Sequence, residues 1–135
     1  MEFTLLSRWQ PQLLALLRIV AGLLFLEHGL SKFFGFPVPF PVHPLPPLLM
    51  AAGVIELVGG FLVAIGLFTR LAAFIASGEM AVGYWMQHVP SGGFWPLANK
   101  GEGAILFCFI FLYLAAAGAG AWGIDSVREK NAPIR

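Results

Sequence analysis

This chain is short of charge, cysteine and nucleotide-binding signatures. Charged residues make up 11% of its 135 residues and hydrophobic ones 59%, whereas soluble domains average about 25% charged. So little charge excludes an ordinary water-soluble globule. A net charge of +1 offers no electrostatic handle for nucleic acid or an acidic substrate. Cys108 is the single cysteine, so an internal disulfide and a thiol relay within the chain are both excluded. There is no GxGxxG beginning a helix after a strand, no P-loop and no CxxC, which leaves nicotinamide, nucleotide and dithiol chemistry unsupported. No metal site is predicted.

What the chain has instead is apolar runs. Four stretches reach the ~20 residues that cross a bilayer as helix, at about 11–30, 48–68, 71–89 and 103–122. The first apolar run exceeds the ~7–15 residues of a signal-peptide core and is followed by no small-residue cleavage site, so a retained span is expected. Between the first two spans lies KFFGFPVPFPVHPLPP, whose prolines forbid regular helix and predict a loop on the membrane surface. Thr69 and Arg70 alone separate the second and third spans, which predicts an antiparallel hairpin. The expected fold is therefore all-α: one domain over 1–135, built as a bundle of four transmembrane helices. With four spans, Arg8, Arg70, Arg128, Lys130 and Arg135 share a side, against Lys32 and Lys100 on the other. By the positive-inside rule both termini should be cytoplasmic.

Ionisable residues within these spans carry the functional question, because a charge in hydrocarbon is costly and usually functional. RIVAGLLFLEHGLSK, Arg18 to Lys32, holds an arginine mid-span and a Glu-His pair near its end, and the later spans contribute Glu56, Glu79 and Glu102. Depth along the helices predicts an ion-pair network of Arg18 with Glu56 and Glu79 near the midplane. Glu27, His28, His88 and Glu102 are expected at an outward-facing mouth. A purely structural salt bridge is the alternative for Arg18.

His28 and His88 sit at matched depth, as a b-haem held by two histidines would need. The nine residues from Glu79 to His88, and from Arg18 to Glu27, place each pair about half a turn apart at ~100° per residue. A straight helix cannot aim both members inward, so a kink or a partner subunit is implied. A quinone-type ligand fits better than a haem. It needs proton-exchanging groups, for which His28, Glu27 and Glu102 are the catalytic candidates, and polar and aromatic walls, for which His88, Lys32, Tyr84, Trp85, Phe94 and Trp95 are the binding candidates. For the aromatics, an interfacial belt is the competing reading.

Four pieces in order, RIVAGLLFLEHGLSK, ELVGGFLVAIGLFTR, GEGAILF and GAGAWGIDS, resemble the successive signatures of the DoxX family across about residues 15–126. The resemblance implies a multi-pass protein of the prokaryotic cytoplasmic membrane with four helices and an oxidoreductase assignment. Relatives named DoxD serve in thiosulfate:quinone oxidoreductase, and others are linked to quinone or catechol stress or to thiol-redox complexes. The family's polar positions carry over to Arg18, His28, Lys32, Glu56, Arg70 and Glu102. The expected function is a membrane subunit of a quinone-linked oxidoreductase, contacting lipid and a small ligand and taking electrons from a bound reductant or a redox partner protein. The rivals are a non-catalytic scaffold and a small proton-coupled transporter working as a homo-oligomer.

Overall fold

Prolines open several helices of this chain and glycines close several. The computed structural model describes residues 4–131, and among these there is helix and connection but no strand; Arg135 lies outside the described residues. A 3-10 turn, Thr4–Trp9, leads into α1, Gln10–Phe34, with Pro11 in the first turn where a missing N–H costs nothing. α1 stops at Gly35, whose φ of 68° only glycine adopts freely and whose N–H bonds Ser31 O at 3.1 Å. α1 thus runs past the expected end of the first span and takes Lys32 into the helix. The prolyl stretch to residue 46 is irregular, as its composition requires.

α2, Pro47–Ile65, starts on Pro46-Pro47 and closes at Gly66, with φ 71°. α3, Thr69–Gly83, continues through a π-helical segment, Tyr84–His88, into α4, Val89–Gly92. A short α5, Pro96–Asn99, precedes α6, Glu102–Ala117. The last apolar run was expected to stay helical to 122. Instead Gly118 (φ 85°) and Gly120 (φ 72°) break it, and 118–123 fold back over the helix end before α7, Ile124–Lys130.

Packing follows side-chain size. α1 lies against α2, and there a Cβ on Gly22 would sit 2.7 Å from Ala64 N, and one on Gly60 2.7 Å from Leu26 N. Only glycine lets the two backbones approach that closely. α3 pairs with α6, and α2 meets α3 through their short connection. The central apolar cluster is Ala21, Phe25, Val63, Ala72, Ala73, Ala76, Phe111 and Leu114. Phe25 meets Phe111 edge-on with ring centroids 4.8 Å apart, and Phe107 stacks on Phe111 at 5.7 Å.

The interior is thus rich in alanine and glycine, with Arg18 fully buried, while Leu16, Val20, Leu23, Val58, Phe61, Phe74 and Phe109 face outward. Large apolar side chains outside and small or polar ones inside invert the soluble pattern and suit a surface bathed in lipid. The helical stretches Thr4–Phe34 and Pro47–Ile65 are long and apolar enough to cross a membrane, and α6 is a shorter apolar helix.

Candidate functional site

At the end of the helices nearer the prolyl loop, a cavity of about 680 Å³ opens among α1, α2, α3 and α6. Its polar floor is built from three helices. Lys32 and Glu56 are both buried, and Lys32 Nζ donates to Glu56 Oε1 at 2.9 Å while lying 2.9 Å from Oε2. Phe40, from the prolyl loop, sits over the ammonium with its ring centre 4.9 Å from Nζ. Glu79, on α3, faces this pair, and its Oε2 is buried with no hydrogen-bond partner among the described residues. Two carboxylates against one ammonium leave an acceptor that a ligand hydroxyl could satisfy.

His28 lies one turn before Lys32 on the same ridge of α1, which brings both to the cavity. Its ring is edge-on to Phe107, with centroids 5.9 Å apart. His88 also lines the cavity although α-helical phase from Glu79 would turn it away. The intervening π-helical segment widens the turn and carries His88 round to the same side, which is the kink the spacing demanded. Gln87, Ser91 and Lys100 complete the polar rim.

The expected ion-pair network is corrected. Arg18 pairs with neither Glu56 nor Glu79; its guanidinium caps the fold-back at the opposite end. Nη1 donates to Ala119 O at 2.5 Å and Ala121 O at 3.3 Å, and Nη2 to Trp122 O at 3.4 Å. Those carbonyls lose helical partners where Gly118 ends α6, and a cation is the natural donor for them. Arg70 does the same for α6 itself, donating to Ala115 O and Ala116 O. Glu56 takes Lys32 as its partner instead.

Other candidates fall outside the cavity. Glu27 follows α1 round, away from the ridge that holds His28 and Lys32. Glu102 is exposed in the first turn of α6, where a carboxylate suits the helix dipole. Trp85 and Trp95, 57% and 72% exposed, form a surface aromatic run with Phe94, as the belt reading has it. Tyr84 is buried, but in a different network: its hydroxyl donates to Phe94 O at 2.5 Å and accepts from Asn99 Nδ2 at 3.1 Å. Asn99, which sequence reasoning missed, also bonds Gly93 O and receives Gly101 N, so it ties the α3–α6 connection together. His88 Nδ1 reaches Asn99 O at 3.1 Å, which orients its ring.

Asp125 stands in the last of the four signature pieces, GAGAWGIDS. Its carboxylate accepts from Phe68 N at 3.0 Å and Thr69 N at 2.8 Å, and so caps the start of α3 from α7. Burial alone would raise its pKa, but these hydrogen bonds and nearby Arg128 hold it below the usual aspartate value.

An all-helical chain with a lipid-suited exterior and a polar cavity is a helical membrane protein. Residues 13–89, more than half of the chain, match the DoxX family, and the chain belongs to that family. A Haemophilus influenzae protein described as "Uncharacterized protein" is 47% identical over 107 residues, 76% of this chain and 80% of its own length. "Putative oxidoreductase CatD" of Bacillus subtilis (strain 168) is 42% identical over 64 residues, 44% of this chain and 48% of its own. No solved structure matches.

Proposed function

We propose that the protein crosses the prokaryotic cytoplasmic membrane four times, with both termini inside, and acts as the membrane subunit of a quinone-linked oxidoreductase. α1, α2, α3 with its π and α4 extension, and α6 supply the spans. The cavity then faces outward, and Arg8, Arg70, Arg128 and Lys130 gather on the cytoplasmic side.

The observation that carries the reading is the buried Lys32–Glu56 pair beside the unpartnered Glu79 oxygen at the floor of the cavity, below its apolar walls and polar rim. Quinone reduction takes two electrons and two protons. Lys32 would hydrogen-bond one ring oxygen and His28 the other, Glu79 with Glu56 would exchange protons with the ring, and His28 and His88 would line the proton route to the outer face. The electrons come from a reductant in the same cavity or from a redox partner protein. The relative named as an oxidoreductase is in keeping with this. The test is titration of the purified protein with a benzoquinone analogue. His28→Ala should weaken binding roughly tenfold, the worth of one hydrogen bond of about 1.4 kcal/mol. Unchanged affinity would remove His28 from the site, and absence of saturable binding would sink the reading.

Proton-coupled transport is the second reading. It is favoured by Glu79, which has no arginine beside it, and opposed by the Phe25, Phe107 and Phe111 cluster that lies between the cavity and the other end. Uptake into proteoliposomes driven by a pH gradient would restore it.

A further inference from the structure

One flank of the cavity is open, and it is apolar. Leu48 and Ala51 on α2, with Ile75, Gly78 and Val82 on α3 and Met86 on the π-helical segment that follows it, line the cavity and are also exposed on the outside of the protein. Leu48 is 52% exposed, Ile75 46%, Val82 53% and Met86 50%. Side chains that belong both to a cavity wall and to the outer surface mark an opening between two helices. None of the six is charged or polar. Gly78, nine residues into α3, lies ~14 Å from that helix's start, so the opening begins near mid-depth of a ~30 Å hydrocarbon core and runs to the outer end.

The glycines make a second, independent point. Glycine in a membrane helix ordinarily marks a close helix contact, as Gly22 and Gly60 do here, and otherwise costs helix stability. Gly78 and Gly83 mark none: a Cβ on either would meet no atom within 4 Å. At these positions the missing side chain keeps a gap clear. The cavity, about 680 Å³, also falls within the range that holds a drug-sized ligand rather than a lone ring.

We propose that the gap between α2 and α3 is a lateral portal, through which a ring compound with a hydrocarbon tail enters from the lipid phase, its tail lying across Gly78. This rests on the quinone reading of the polar floor and narrows it to tailed, membrane-dissolved quinones or quinols. The occupant follows from the two ends of the space, with Lys32, Glu56 and Glu79 for oxygen atoms on the ring and uncharged walls continuous with lipid for the tail.

Gly78→Leu fills the portal with a side chain that has room to sit there, so folding should survive. Binding of a decyl-tailed benzoquinone should weaken about tenfold or more, as expected of overpacking, while the same ring bearing only a methyl binds as before. Equal effects on both compounds, or none on either, would overturn the portal. A second measurement uses the unmutated protein in bilayers with a long-chain alcohol carrying a diazirine. Labelling at Ala52 and Ile55 within the cavity supports the portal. Labelling confined to outward positions such as Phe74, or a crosslinked second copy covering Gly78, overturns it. If neither ring compound binds the wild type, the quinone reading fails and the labelling alone decides the portal.

Discussion

Removing Lys32 should expose how strongly the cavity floor depends on its one cation. Lys32 is 8% and Glu56 2% exposed, so their 2.9 Å contact is shielded from water and from salt. Lys32→Met leaves two facing carboxyls, Glu56 and Glu79, with no counter-charge. Losing one partner of a buried pair costs about 3–5 kcal/mol, while replacing both by neutral groups of similar size is close to neutral. Lys32→Met should therefore lower the melting temperature in detergent by about 10 °C or more. Lys32→Met combined with Glu56→Gln should recover most of that loss, giving a coupling energy of about 2 kcal/mol or more in a double-mutant cycle. The double variant should still fail to bind a benzoquinone. Additive losses, with the double variant as unstable as the sum of the singles, would refute a coupled pair.

Three further perturbations test the rest of the framework. Gly60→Ala pushes a Cβ onto the α1 backbone at Leu26 N and should cost about 1–3 kcal/mol by denaturant titration, whereas Gly78→Ala should cost nothing. Asp125→Ala should lose about 1 kcal/mol of cap energy. Because the folded pKa of Asp125 is depressed, its contribution is present above the usual aspartate value of 3.8 and fades as pH falls through the lower folded value. Wild type and variant should accordingly converge in acid. Arg18→Met should destabilise by roughly 2 kcal/mol through the orphaned carbonyls of Ala119, Ala121 and Trp122, yet leave quinone affinity unchanged, because Arg18 lies at the other end.

Much of the helical framework is legible in the text of the chain. Pro11, Pro46 and Pro47 open helices and Gly66 closes one, whereas the stops at Gly35 and Gly118 lie inside or beyond apolar runs that hydropathy alone does not divide. Which helix faces meet is harder to read. Lys32 belongs to the buried set only because α1 runs on to Phe34; once it does, Arg18, Phe25, Gly29 and Lys32 form one stripe, and Glu56 meets its end. Arg18 looked like a partner for an acid because residues 118–123 read as apolar span. In three dimensions their left-handed glycines turn carbonyls toward the guanidinium, and hydropathy does not record carbonyl direction. The inward placement of His88 follows from the π segment at Tyr84–His88, for which periodicity shows the need but not the position. Asn99 carries no signal, because most of its bonds are to backbone within a loop, and Tyr84 reads as a cavity wall because its bonds to Phe94 O and Asn99 depend on how that loop folds.

The most direct test is titration with a hydroquinone, whose hydroxyls can donate to the Glu79 oxygen, of purified protein carrying Glu79→Gln beside variants at two acids that do not line the cavity, Glu27→Gln and Glu102→Gln. The account predicts saturable binding that weakens about tenfold with Glu79→Gln and is unchanged by the other two. Affinity that depends on Glu27 or Glu102 while ignoring Glu79 would contradict it.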